Sequence, residues 1–259
     1  MSFENLITEK GEDFVGMITL NRPEQLNTFS WDLARELKQA LGEMENDPAI
    51  RVVMVTGAGR AFCAGIDLTG YEGKSTSEYE QWVGHMEEPL VFIGQMSKPV
   101  IAKVNGAAAA IGAGLVAAAD LAIASEKARI GLTAINVGLN CVGPVIPVAR
   151  TVGRKQALEM LLFGEMIDPK RALEMGLYNR VVPSDDLDKK ARDWAAALAQ
   201  RSPVAVANAK TAFYASEDMA YADQFKYMNQ AFAQLCSSDA AKEGVAAFLE
   251  KRNPSWKTK

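Results

Sequence analysis

Arg51-Val52-Val53-Met54-Val55-Thr56-Gly57-Ala58-Gly59-Arg60-Ala61-Phe62-Cys63-Ala64-Gly65-Ile66-Asp67-Leu68 opens with a β-branched run that reads as a buried strand and continues into a glycine- and alanine-rich junction. Later in the chain, Val100-Ile101-Ala102-Lys103-Val104 runs into Asn105-Gly106-Ala107-Ala108-Ala109-Ala110-Ile111-Gly112-Ala113-Gly114 in the same way. Small residues at a strand-to-helix junction let backbone come close to a ligand, and the N–H groups of a helix's first turn point out at whatever binds there. Two such junctions side by side can aim two N–H donors at one carbonyl oxygen. That is the geometry of an oxyanion hole, in which one donor is worth roughly 3 to 4 kcal/mol of barrier. Either stretch alone is an ordinary tight turn in an α/β protein. The surrounding residues decide between these readings.

Ala61-Phe62-Cys63-Ala64-Gly65-Ile66-Asp67-Leu68, Lys98-Pro99-Val100-Ile101-Ala102-Lys103-Val104-Asn105-Gly106 and Asp120-Leu121-Ala122-Ile123-Ala124-Ser125 resemble the enoyl-CoA hydratase/isomerase (crotonase) superfamily. The resemblance runs from Ile18-Thr19-Leu20-Asn21-Arg22-Pro23 to Ala247-Phe248-Leu249-Glu250-Lys251-Arg252. It implies an α/β fold: a crotonase-like spiral of strands and helices with a C-terminal helical trimerisation subdomain. It also implies an acyl-CoA thioester as partner, CoA as part of the substrate with no separate cofactor, and a homotrimer or dimer of trimers.

With 259 residues, 49% of them hydrophobic, the chain can bury a sizeable core in one large domain with or without an appendage. A net charge of −4 with scattered lysines and arginines gives no nucleic-acid surface. The most membrane-like run, Gly106 to Ala119, is too short to span a bilayer and reads as a buried helix. Met1-Ser2-Phe3-Glu4 lacks the basic and apolar parts of a signal peptide, so the expected location is cytoplasmic. Cys63, Cys141 and Cys236 are far apart and form no CxxC pair, which argues against a disulfide framework or a structural metal site.

Asn5 to Lys10 and Val15 to Leu20 read as a hairpin. Ser30 caps an expected helix to about Met44, with Leu33, Leu37, Ala40, Leu41 and Met44 on one face. A polar loop, Thr69 to Ser77, leads into a helix reaching about Met96 with Trp82, Met86, Leu90 and Ile93 as its apolar stripe. Short helices are expected at Arg154–Phe163 and Pro169–Met175, and a final strand at Tyr178–Val182. From Leu187 onward the pattern is helical only, which suggests a division into a core domain, 1–186, and a helical subdomain, 187–259.

The resemblance puts the two donors on the backbone of Ile66 and Ile111, or of Gly112 if the second loop slips by one residue. Ala110 stands where the family carries a glycine. Leu26 and Ala64 match positions that contact pantetheine and adenine, and Phe248 and Lys251 match positions that reach a neighbouring subunit's CoA. Asp67 adjoins the first donor and also suits a capping role.

The family's hydratases use two glutamates, and the matching positions here hold Gly114 and Ala134. Neither residue can move a proton, so a two-glutamate mechanism fails in this register. Asn140 and Cys141 rank first as substitutes by position, then His85, the only histidine; Glu87 and Glu88 share its helix. Three readings compete. The first is enolate chemistry on an acyl-CoA through a non-standard proton carrier. The second is another activity on this scaffold, a thioester hydrolase, decarboxylase or ring-acting hydratase. The third is a non-catalytic acyl-CoA binder.

Overall fold

Alternating apolar and polar residues set the opening hairpin, in which β1 (Leu6–Lys10) and β2 (Val15–Leu20) pair antiparallel with Leu6 opposite Leu20. The computed structural model describes residues 3–257. Beyond the hairpin, each pairing in this sheet is parallel. β2 lies beside β3 (Val52–Gly57), β3 beside β5 (Val100–Val104), β5 beside β7 (Leu121–Ser125) and β7 beside β9 (Arg180–Val182). All six residues of β3 are buried, as a parallel strand covered on both faces requires.

A second, three-stranded parallel sheet runs in the order β4 (Ala61–Cys63), β6 (Ala107–Ala109), β8 (Arg129–Gly131). It changes the reading of both junctions. The apolar run Gly106–Ala119, expected as one helix, divides into β6 and the short α3 (Ile111–Ala118). Pairing with β4 and β8 gives the backbone of Ala107–Ala109 its partners there. The first junction does not enter a helix either; after β4 the chain passes through turns until Thr76. β4 and β6, three residues each, have no periodicity to read, which is why the sequence hides them.

One face of the large sheet carries α1 (Trp31–Asn46) and α2 (Thr76–Gln95). Ser30 caps α1 by accepting from Leu33 N at 3.2 Å, and Ser75 with Glu78 forms a capping box on α2. Leu33, Leu37 and Leu41 of α1 and Met86 and Ile93 of α2 join Val53, Val55 and Val100 in the main core. α4 (Val145–Val152), which the sequence reading omits, follows α3 in space; α5 (Arg154–Phe163) and α6 (Pro169–Met175) have the expected bounds.

The alternate residues of the large sheet, Val52, Met54, Ile101 and Ile123, form a separate cluster with Leu187, Ala191, Ala195 and Ala199 of α7 (Leu187–Ala199). α7 therefore covers the sheet's other face and completes the layers. The C-terminal segment continues through α8 (Pro203–Ser216), α9 (Tyr221–Cys236) and α10 (Asp239–Leu249), which pack on one another, with α8 also against α2. Lys210 of α8 fastens it, donating to Asp120 Oδ2 at 2.7 Å and to the Lys98 carbonyl at 2.9 Å. Tyr214 donates to the other Asp120 oxygen at 3.0 Å. Among the described residues, no helix is long and apolar enough to cross a membrane.

Candidate active site

The first junction is built on a fully buried side chain, Asn27, whose Nδ2 donates to the carbonyls of Ala58 (2.9 Å) and Ala61 (2.8 Å) while its Oδ1 accepts from Arg22 N (2.9 Å). Leu26 accepts from Ala64 N at 3.0 Å, so these two expected CoA contacts lie side by side. Phe29 then bridges the loop: its N–H donates to the Gly65 carbonyl and its own carbonyl accepts from Asp67 N, each at 2.8 Å. In such a parallel bridge the intervening residue turns its own N–H to the opposite side. The Ile66 N–H therefore faces away from Phe29.

At the second junction Ala110 donates to the Gly131 carbonyl at 2.8 Å, and α3 begins at Ile111 with first-turn N–H groups that have no intrahelical acceptor. Ala110 sits at φ 50°, ψ −113°, a conformation that strains a residue with a Cβ by about 1 to 3 kcal/mol. The junctions touch at two points. A Cβ built on Gly65 lies 3.6 Å from the Ala110 Cβ, and the space beside Gly112 is filled by the Cys63 carbonyl oxygen, with the Cys63 Cβ 2.9 Å from a Cβ built there. The loop that carries Ile66 and the first turn of α3, which carries Ile111 and Gly112, are thus in contact.

Other expected site residues are placed differently. Asp67 accepts from Arg22 Nη2 at 2.8 Å and from Thr69 N at 2.9 Å, so it fastens the Arg22–Asn27 loop over the junction. His85 stacks on Trp31 with ring centroids 3.7 Å apart, and its Nε2 lies 3.0 Å from the Trp31 carbonyl. It engages α1, as does Glu88 through Lys38. Asn140 is exposed. Cys141 is buried, and burial pushes its thiol up against a backbone hydrogen bond to Ala134, so it is protonated at neutral pH. Phe248 is 81% exposed at the end of α10 and Lys251 follows it at φ 56°; among the described residues no hydrogen bond or ion pair ties either side chain to the junctions.

A family model described as enoyl-CoA hydratase/isomerase matches residues 10–259. The chain belongs to the enoyl-CoA hydratase/isomerase family. Within it, a putative enoyl-CoA hydratase of Thermus thermophilus is 35% identical over 96% of this chain and 98% of its own. A Xenopus laevis mitochondrial enoyl-CoA hydratase domain-containing protein 3 is 34% identical over 95% of this chain and 84% of its own. Among solved structures, an enoyl-CoA hydratase of Mycobacterium smegmatis superposes with a TM-score of 0.94 at 36% identity, covering 97% of this chain and 98% of that one. Human enoyl coenzyme A hydratase domain-containing protein 3 superposes with a TM-score of 0.93 at 31% identity, covering 98% and 100%. The layered α/β spiral is the family's architecture.

Inside this enoyl-CoA hydratase/isomerase frame, position 114 has no room for a carboxylate side chain. A Cβ there would lie 2.8 Å from the Pro144 Cβ and 3.0 Å from Leu90 Cδ2. α2 instead brings a carboxyl beside Gly143, the residue next to Pro144. Glu87, half-buried, presses on Gly143: a Cβ at 143 would overlap its carboxyl group, with Oε2 at 2.6 Å. Burial pushes Glu87 above the ordinary glutamate range, and among the described residues it has no hydrogen-bond or ion-pair partner. It lines a cavity of about 550 Å³ with Leu90, Ala117, Gly143, Ile146 and Tyr214. The sequence reading names Glu87 without singling it out; the signal was the two glycines, 114 and 143, that admit Leu90 and Glu87 one helical turn apart.

Asp67 supplies a prediction. Burial alone raises its carboxyl, but hydrogen bonds from Arg22 and Thr69 and the Arg22 charge outweigh that and hold it below the ordinary aspartate value. A carboxyl depressed in the folded state adds stability above its unfolded pKa and loses it as pH falls through the folded one. Asp67→Asn should therefore be less stable than wild type at pH 7 by about 1 kcal/mol, the scale of an ion pair open to water. The difference should have begun to shrink at about pH 3, under the ordinary aspartate pKa, and should be lost once pH falls through the lowered folded value. Urea unfolding at both pH values checks it, and an equal deficit at both would refute the account.

Proposed function

We propose that this protein binds acyl-CoA thioesters and holds the thioester carbonyl between the backbone N–H groups of Ile66 and Ile111, stabilising the charge that develops on oxygen as an enolate forms. The observation that supports this reading is the contact between the two junctions, Gly65 on Ala110 and Cys63 on Gly112, which brings two outward-facing amides into one neighbourhood. A fixed donor in such a place lowers a barrier by roughly 3 to 4 kcal/mol, because it needs no reorganisation as charge appears. The Gly112 N–H is next in the same helical turn and is the alternative second donor. Leu26 and Ala64 offer backbone to the CoA moiety beside the first donor.

Gly114 and Ala134 point away from two-glutamate hydration and toward a lyase or isomerase reaction in which another group moves the proton. The assembly that goes with this reading is a homotrimer or a dimer of trimers formed through the C-terminal helices. α9 exposes Tyr221, Phe225 and Phe232, and α10 exposes Val245, Phe248 and Leu249, apolar faces that one chain leaves uncovered. Phe248 and Lys251 would then serve a neighbour's CoA.

Calorimetric titration with crotonyl-CoA, with crotonate as control, tests the reading. The thioester should bind and the free acid should not, because the CoA moiety supplies much of the contact. If no CoA thioester binds, the function assigned here is wrong. Light scattering in the same buffer reads the assembly, for which a monomer is the contrary result.

A further inference from the structure

We propose that Glu87 of α2 is the catalytic acid and base of this protein, delivering across Gly143 the carboxyl that the chain lacks at position 114. The inference rests on the thioester reading above and names the group that moves the proton.

Three contacts carry it. Leu90 reaches Gly114, whose missing side chain leaves the space that Leu90 Cδ2 and Pro144 fill. Glu87 lies three residues before Leu90, on the same face of α2 and about 4.5 Å along the axis. Its carboxyl group occupies the space beside Gly143, the residue next to Pro144. Gly114 is itself one turn beyond Ile111, the second proposed donor. The Glu87 carboxyl thus sits, in the space that Gly143 leaves open, one turn of α2 from the side chain that fills the place of the family's first glutamate.

Its surroundings suit proton transfer. The other charged groups that line the cavity are already engaged. Asp120 is held by Lys210 and Tyr214, and Arg150 pairs with Glu217 at 2.7 Å and with Asp218 at 2.8 Å. None of them neutralises Glu87. His85 and Glu88, on neighbouring turns of the same helix, face α1. A carboxyl with no partner to satisfy is free to exchange a proton with a ligand.

The step balances without a further reactant. Glu87 carboxylate takes a proton from the acyl carbon next to the thioester; the C–H bond breaks, an O–H bond forms, and the electron pair passes to the thioester oxygen as an enolate. The same carboxylic acid returns the proton to that carbon or, in a β,γ-unsaturated acyl group, the enolate formed from it is protonated at the γ-carbon. The second outcome moves the double bond into conjugation.

The test follows deuterium uptake at the α-carbon of butyryl-CoA in D₂O by mass spectrometry, with Kd measured in parallel. Glu87→Gln should lower exchange about 100-fold or more, the usual scale of a lost general base, while Kd for butyryl-CoA stays within about threefold. Glu87→Asp should keep part of the exchange with a shifted pH profile. Gly143→Ala, which leaves Glu87 in the chain but displaces its carboxyl, should lower exchange at least about tenfold. Melting temperatures report folding of each variant. Exchange by Glu87→Gln within about threefold of wild type overturns the assignment, as does wild-type protein that binds butyryl-CoA and exchanges nothing. If wild type does not bind butyryl-CoA, the thioester reading itself fails.

Discussion

Replacing Gly112 with alanine is expected to destabilise the protein by about 3 kcal/mol and to weaken crotonyl-CoA binding at least tenfold, the upper end of the range for overpacking a dense interior. The new methyl group would run into the Cys63 carbonyl oxygen, with the Cys63 Cβ 2.9 Å away and its carbonyl carbon 3.1 Å away. Backbone cannot step aside as a long side chain can. Cys63 is the last residue of β4, paired with Ala108 of β6, so moving it strains the small sheet that carries both junctions. The first turn of α3 would tilt instead, taking the Ile111 N–H off its line. Ala113→Gly is the control, since it loosens the same turn by about 1 kcal/mol without adding an atom. Urea unfolding and thermal titration measure both variants. An alanine at 112 with wild-type midpoint and affinity would mean that the contact between the junctions is looser than the structure has it.

That contact also marks how far the sequence could be read. β3 and β5 announce themselves through runs of Val and Ile, and α1 through Leu33, Leu37, Leu41 and Met44 at helical spacing. β4 and β6 do not. Ala61–Cys63 and Ala107–Ala109 are strands because three short segments distant in sequence satisfy one another's hydrogen bonds, a property that belongs to no one of them. α7 reads as the start of a helical appendage because its own pattern is helical, yet Ala191, Ala195 and Ala199 lie flat on the large sheet. The site divides along the same line. Ile66, Ile111 and Gly112 are reached through the family resemblance of the two junctions, while the direction of a side chain depends on its neighbours. His85 could be seen as titratable but not as stacked on Trp31, and Glu87 could be seen on a helix but not against Gly143.

Removing Asp120 should be more damaging than removing Lys210, although the two form one ion pair. Asp120 accepts three donors besides being the counter-charge: Lys210 Nζ at 2.7 Å, Tyr214 Oη at 3.0 Å and the Val100 backbone N at 2.6 Å. Asp120→Ala leaves Lys210, whose side chain is 6% exposed, with the Lys98 carbonyl as its remaining partner, an uncompensated buried charge that costs about 3 to 5 kcal/mol. Lys210→Met removes the charge with the amine and leaves Asp120 its two other donors, so its loss should be about 1 to 3 kcal/mol. The pH dependence follows from Lys210. Burial pushes its ammonium below the ordinary lysine value, more than the Asp120 charge raises it. The folded state then binds fewer protons than the unfolded one between that lowered pKa and about 10.4, and stability rises with pH across the window. Lys210→Met lacks this titration, so the margin of wild type over the variant should widen on going from neutral pH toward 10. Because Asp120 and Tyr214 also line the cavity that holds Glu87, Asp120→Ala should loosen α8 against it and lower butyryl-CoA exchange as well as stability. Equal losses in the two variants would show that the pair acts only through its mutual attraction, and that α8 is held by its apolar packing instead.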